Sequence, residues 1–128
     1  MLNISIETIP HSMQSYPTVG WWGWHGKKLT IRVSDMGDWR YEFLVAVHEF
    51  CEAMICRHRG IKQSDVDKFD IQFERDRSAG KHSETEEPGD HPKAPYRVAH
   101  FIATTVERIM ALALCVDWME YDRTVVSL

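Results

Sequence analysis

The string His48-Glu49-Phe50-Cys51-Glu52 places a histidine and two carboxylates within five residues of the chain. Because successive helical residues are about 100° apart, His48 and Glu52 stand one turn apart on the same side of a helix, where both side chains can reach a single ion. Imidazole and carboxylate groups are ordinary zinc ligands. The spacing therefore predicts that His48 and Glu52 are a metal-binding pair.

A zinc site needs at least one more ligand, and two downstream histidines are candidates. We expect His100, in a predicted helix, to be the third ligand, and His91, in the loop before that helix, is the alternative. Either choice gives two histidines and one glutamate, a composition known for catalytic zinc. Glu107 projects at nearly the same angle as His100, but a rise of about 10 Å over seven residues places it too far to bind the same ion, so we expect it to orient a histidine ligand or to bind a second ion. Asp90 is predicted to orient a histidine in the same way.

A packing interpretation competes with the metal site. Glu49 and Glu52 can pair with the basic residues at the end of the same helix, while His48 can be a hydrogen-bonded core histidine. His100 and Glu107 can likewise form a buried hydrogen bond that fixes how two helices pack.

The first 35 residues consist mainly of strand patterns. Apolar residues alternate with polar ones over 2–6 and over 29–33, which is typical of strands with one buried face. A third strand near 19–24, joined to 29–33 through His25-Gly26-Lys27-Lys28, predicts a hairpin. We expect a small antiparallel sheet.

Helical patterns follow the strands. A helix is predicted over 38–59, with Asp38 as its N-cap and the H-E-x-x-E string in its middle. A short helix is predicted from Ser64 to Phe73, although alternating apolar residues leave a strand possible. Residues 76–94 carry no large apolar side chain and predict a long loop over the cleft. A long C-terminal helix is predicted over 95–119, with these residues inward: Val98, Ile102, Val106, Ile109, Ala113 and Val116.

These elements predict one α+β domain over 1–128, a small antiparallel sheet packed on the motif helix and the long C-terminal helix. A chain of 128 residues with 44% hydrophobic and 27% charged residues can form one core. Its net charge of -4 argues against a nucleic-acid partner, and no apolar run reaches the about 20 residues of a membrane span. Three cysteines in apolar runs, without a signal-peptide pattern, predict a cytoplasmic protein.

Aromatic and basic residues supply candidate contacts for a substrate or partner. Three indoles occur within Trp21-Trp22-Gly23-Trp24, and adjacent strand residues cannot all face one core, so Trp22 and Trp24 are candidates for a recognition surface. Burial of the cluster with one exposed indole is the competing interpretation. Tyr96 and Arg97 are candidates for contacting the substrate and stabilising negative charge.

The chain also resembles a group of small phage-encoded and prophage-encoded proteins of uncharacterised function that carry a zincin-like H-E-x-x-E helix. The similarity covers 34–118 and rests on Ser34-Asp35-Met36-Gly37-Asp38-Trp39-Arg40-Tyr41, Val45-Ala46-Val47-His48-Glu49, Glu87-Pro88-Gly89-Asp90-His91-Pro92 and Ala94-Pro95-Tyr96. It implies that His48 and Glu52 are ligands and Glu49 the base. Zincin metallopeptidases use H-E-x-x-H, so Glu52 replaces the second histidine.

Two functions are consistent with these patterns. The first is a zinc-dependent hydrolase, most simply a peptidase-like zincin acting on a peptide or protein, in which His48, Glu52 and His100 bind Zn²⁺ and Glu49 takes a proton from water. The second is a non-catalytic phage accessory protein that binds a host or phage partner, with a structural metal or none.

Overall fold

A computed structural model describes residues 1–128 and has the predicted α+β composition. The strands are β1 (Asn3–Ile9), β2 (Gly20–His25) and β3 (Lys28–Ser34). The helices are α1 (Trp39–Arg59), α2 (Gln63–Ser78), α3 (Arg97–Ala113) and α4 (Trp118–Val126), and two 3-10 turns cover His11–Met13 and Pro88–Asp90. None of the four helices combines the length and apolar composition needed to cross a membrane.

The sheet is mixed, so the prediction of an antiparallel sheet is wrong for one of its two pairings. The strand order is β1-β3-β2, in which β2 and β3 form the predicted hairpin and β1 pairs with β3 in parallel. The segment between β1 and β2 crosses one end of the sheet, and β3 then returns between these strands. Because β3 runs opposite to β2, it takes the direction of β1.

The core lies between one face of the sheet and the helices. Leu29, Ile31 and Val33 alternate along β3 and are fully buried, as their spacing predicts. Asp38 caps α1 by accepting a hydrogen bond of 2.9 Å from the backbone N–H of Arg40. The motif helix therefore begins after its predicted N-cap, it ends at Arg59 as predicted, and it lies against both β2 and β3.

The second helix is longer than the sequence pattern indicates. α2 runs from Gln63 to Ser78, so the strand alternative for this segment is wrong. Val66 and Phe73 are buried on one side, which is the spacing of two helical turns. The predicted loop over 76–94 consequently begins after Ser78 and includes the 3-10 turn at Pro88–Asp90.

The predicted helix over 95–119 is two helices. The N–H groups of Cys115 and Val116 donate to the carbonyls of Leu112 and Ala111, and Cys115 takes a left-handed φ of 53°. This pair of hydrogen bonds is a Schellman C-terminus, which ends α3. Asp117 then caps α4 by accepting a 3.0 Å hydrogen bond from the N–H of Glu120.

The side of α3 that faces the core is the opposite of the predicted one. Val98, Ile102 and Ile109 are 49%, 42% and 59% exposed, although we expected them inward. The buried side instead carries small and polar residues: Ala99, His100, Ala103, Glu107 and Ala111. Alanines allow α3 to lie close to α1, and the polar groups between them find partners on α1.

Candidate metal centre

Two helices supply the residues of a buried His/Glu cluster, which consists of His48 and Glu52 from α1 and His100 from α3. The three residues are 8%, 4% and 7% exposed. Contacts of His100 with Glu52 and of Glu107 with His48 show that α1 and α3 run antiparallel. The cluster therefore forms where the middle of α1 meets the first turn of α3.

One atom of each residue converges on a common point. His48 Nε2 lies 3.2 Å from Glu52 Oε2 and 3.2 Å from His100 Nδ1, and the last two atoms are 3.1 Å apart. Tetrahedral zinc with ligands at about 2.0–2.1 Å holds neighbouring donor atoms about 3.3 Å apart. The triangle is thus already close to the spacing that one tetrahedral ion requires, and the cluster can hold a metal ion.

Every ligand is also held by a second contact on the side away from the cluster. His48 Nδ1–H donates to Glu107 Oε1 at 2.8 Å, and His100 Nε2–H donates to Glu87 Oε2 at 3.0 Å. Trp22 Nε1–H donates to Glu52 Oε1 at 3.0 Å. In singly protonated histidines these contacts place the protons outward, so the lone pairs of both rings point at the centre.

The same contacts shift the pKa values of the cluster. Burial favours the neutral imidazole of His48, but hydrogen bonds to Glu107 and Glu52 outweigh it and raise the pKa of His48 well above its usual range. The pKa of His100 is shifted in the same direction. Burial lowers this pKa, but hydrogen bonds to Glu52 and Glu87 outweigh burial and raise it to about 9. For Glu52 the two histidines overcome burial and lower the pKa to about 2. Without an ion, the cluster therefore holds protons that a metal would displace.

Glu49 lies next to the cluster and faces the backbone of β2. A Cβ at Gly20 would lie 2.6 Å from Glu49 Oε1, so glycine at this position allows the carboxylate to approach the strand. Burial and the charge of Glu52 raise the pKa of Glu49 to about 8. The predicted base is therefore placed beside the predicted ligands and is half-buried.

The cluster opens onto a cavity of about 600 Å³. Its walls include Glu49, the three cluster residues and the rings of Trp21 and Tyr96. Acidic side chains outnumber basic ones in the lining, and Arg77 is the one Lys or Arg side chain among the lining residues. Arg77 is already paired with Glu74 at 3.0 Å, so the cavity is electrostatically negative.

The two candidates for the third ligand lie in different places. His100 completes the cluster, whereas His91 packs against the rings of Phe69 and Phe73, and its Nδ1 accepts a hydrogen bond from the N–H of Lys93. The alternative ligand His91 is therefore not brought to the cluster. Asp90 is near His100 Nε2 at 3.5 Å, but its side chain is 71% exposed.

The sequence pattern did not identify Glu87 as the hydrogen-bond partner of His100. Glu87 lies in a run of charged residues that predicts a solvated loop. The 3-10 turn after it places Gly89 against the ring of His100, where any side chain would collide with that ring. The Pro88-Gly89 pair is the only local sign of this approach. Glu107 accepts a hydrogen bond from a histidine, and that histidine is His48 on the neighbouring helix.

Most of the residues predicted to contact a substrate or partner make contacts within the chain itself. Trp22 is buried and bound to Glu52, and Trp24 is half-buried beneath the guanidinium of Arg57 at 4.1 Å. Tyr96 lines the cavity, and its hydroxyl donates to Asp70 at 2.5 Å. Arg97 is exposed and is not among the cavity residues. The indoles of Trp22 and Trp24 therefore contact other residues of the chain and do not form an exposed recognition surface.

Comparisons with protein-family models, with curated proteins and with solved structures find no match to this chain. The resemblance to phage-encoded proteins and to zincins consequently stays a prediction.

Proposed function

We propose that the protein is a zinc-dependent metallohydrolase, most simply a peptidase-like zincin of phage or prophage origin. The observation that carries this proposal is the convergence of His48 Nε2, Glu52 Oε2 and His100 Nδ1 at 3.1–3.2 Å. Two histidines and one glutamate are a ligand set of catalytic zinc, which keeps a further position for water or substrate. The adjoining cavity offers space for that position.

Each residue of the site has its own role in the proposed hydrolysis. Zinc in this site would supply a Lewis acid that polarises a carbonyl and lowers the pKa of water. Glu49 faces the same cavity and accepts the proton of the attacking water, then returns it to the leaving amine. Glu107, Glu87 and Trp22 keep the ligands in place during these steps.

A non-catalytic protein with a structural metal is the second candidate. It is favoured by the positions of the two residues predicted to stabilise a developing oxyanion, because Tyr96 donates to Asp70 and Arg97 faces solvent. The ligands are also almost completely buried. In this alternative the ion would stabilise the contact of α1 with α3.

Metal content separates the site from the packing interpretation. Elemental mass spectrometry of untagged protein should find about one equivalent of zinc, and His48→Ala should abolish it. His58→Ala, which removes an exposed histidine from the same helix, is the matched control and should keep the metal. If the parent protein held no zinc after incubation with the ion and desalting, the packing interpretation of the cluster would be the correct one.

Catalysis is tested by Glu49→Gln, which keeps the shape of the side chain and removes the base. Digestion of a denatured-protein peptide library, followed by mass spectrometry, should show cleavages that disappear in Glu49→Gln while zinc is retained. Glu120→Gln, at an exposed position on α4, is the control and should cleave normally. Equal cleavage by Glu49→Gln, or none by zinc-loaded parent protein, would favour the structural metal.

A further inference from the structure

The solvent side of α3 carries a heptad pattern that nothing in the chain covers. Val98, Ile102, Thr105, Ile109 and Leu112 follow one another at intervals of four, three, four and three residues. We call these five residues the α3 seam. All are exposed, and Leu112 reaches 79% exposure. This 4-3 spacing is the pattern by which one helix packs along another helix.

The seam is also nearly free of charge. Within α3 the exposed charged residues are Arg97 at its first position and Arg108, and the guanidinium of Arg108 lies 4.6 Å from the ring centre of Trp118 in its own chain. Phe101 lies beside the seam and is 71% exposed. A contiguous apolar surface of several hundred Å² is often functional and is typical of an interaction site.

We propose that two copies of this chain associate through their α3 seams as an antiparallel, two-fold symmetric dimer. The seam is symmetric about Thr105, with Ile102 and Ile109 on either side and Val98 and Leu112 at the ends. An antiparallel partner therefore places Leu112 of one copy opposite Val98 of the other. This self-complementarity is what a two-fold interface requires, and the small Thr105 at the axis allows close approach.

The exposed area is sufficient for such a dimer. The apolar side chains of the seam, together with Phe101, expose on the order of 500 Å² per copy, and a standard interface buries about 800 Å² per partner including its polar rim. His100 and Glu107 lie on the opposite side of α3, about 180° around the helix. Association therefore leaves the cavity accessible, and this proposal does not depend on the bound metal.

The oligomeric state of the full chain tests the proposal. Sedimentation velocity from 1 to 100 µM should show a dimer for the parent protein and a monomer for Leu112→Glu and for Ile109→Glu, with circular dichroism confirming that both variants fold. Ile6→Glu introduces the same charge at an exposed apolar position on β1 and should remain dimeric. A monomeric parent protein, or dimers in both seam variants, would overturn the proposal.

Cross-linking tests the predicted geometry. In a Cys115→Asn background, which removes the exposed native thiol, Thr105→Cys should form an intermolecular disulfide on mild oxidation because residue 105 lies at the axis. Val98→Cys alone should not, since its two copies are about 20 Å apart along the helices. Efficient self-linking of Val98→Cys would contradict the antiparallel arrangement. Seam-dependent flotation of monomeric protein on anionic vesicles would identify a membrane as the occupant instead.

Discussion

Glu107 on α3 accepts a hydrogen bond of 2.8 Å from His48 on α1, so an acid on one helix orients a histidine on the other. The second oxygen of Glu107 accepts from the hydroxyl of Tyr121 on α4 at 2.5 Å. Three helices are thereby joined through one carboxylate, and the ring of His48 is held with its Nε2 toward the centre of the cluster. The orientation of His48 thus depends on α4, which contributes no residue to the cluster.

Replacing Glu107 should weaken metal binding without removing a ligand. Glu107→Ala leaves the outward N–H of His48 without its acceptor, and we expect zinc affinity to fall by about 10–100-fold. Glu107→Gln keeps a carbonyl oxygen as the acceptor and should recover most of this loss. Competition with a chromogenic chelator measures both constants. Equal losses in the two variants would show that the carboxylate acts by charge rather than by orientation.

Glu87 and Asp90 provide a matched pair for the other histidine. Glu87 Oε2 is 3.0 Å from His100 Nε2, whereas the exposed Asp90 is 3.5 Å from the same atom. We expect Glu87→Ala to weaken zinc binding by roughly tenfold and Asp90→Ala to change it less than twofold. The same chelator competition applies. A larger effect of Asp90→Ala would assign the orienting role to that residue, as the sequence analysis predicted.

The indole of Trp22 should contribute to zinc affinity as well as to the stability of the core. Trp22→Phe keeps a large aromatic ring but leaves Glu52 Oε1 without its 3.0 Å donor. We expect a loss of about 1–3 kcal/mol in the free energy of unfolding of the metal-free protein and weaker zinc binding. Trp21→Phe removes an indole that donates to Asp67 and should leave zinc affinity unchanged. Urea denaturation with and without zinc measures both effects.

Asp70 should make the stability of the metal-free protein depend on pH. Burial is the main cause that raises the pKa of Asp70 from 3.8 to about 7. Because folding favours the protonated acid, this contribution is fully present below pH 3.8 and is lost as the pH rises through 7. Asp70→Asn should therefore be more stable than the parent protein at pH 8, by roughly 2 kcal/mol, and this advantage should shrink toward pH 4.

Urea denaturation in EDTA at several pH values provides this measurement. Asp65→Asn, which changes an exposed carboxylate on the same helix, should follow the parent protein at every pH. If Asp70→Asn also followed the parent protein from pH 4 to pH 8, ionisation of Asp70 would contribute nothing to folding stability.

Local spacing is sufficient to predict part of the cluster. His48 and Glu52 are one helical turn apart in sequence, so any helix over this segment brings them together, and His100 was identified by its residue type on a second helix. Glu87 and Trp22 were not assigned their roles, because each reaches the cluster through packing of distant elements. The five-residue H-E-x-x-E pattern cannot show which loop carboxylate or which strand indole will approach it.

The orientation of α3 illustrates a different limit. Its apolar stripe is clear from the sequence, and we predicted that stripe to face the core. The side of α3 that carries the alanines faces the core instead. On this side His100 and Glu107 have hydrogen-bond partners, and the small residues permit close helix packing. Periodicity identifies a stripe but does not show whether the chain itself or another molecule covers it.

The separation of the cluster residues along the chain would give a bound metal a role in folding thermodynamics. His100 is 48 residues from Glu52, so the denatured chain retains only the His48–Glu52 pair and binds an ion weakly. An ion that requires all three donors stabilises only the native state, and each tenfold rise in free ion above its dissociation constant adds about 1.4 kcal/mol to the free energy of unfolding. Zinc supply in the surroundings would then set how much stability the ion adds to the folded protein, and a chelator would lower the stability to that of the metal-free protein.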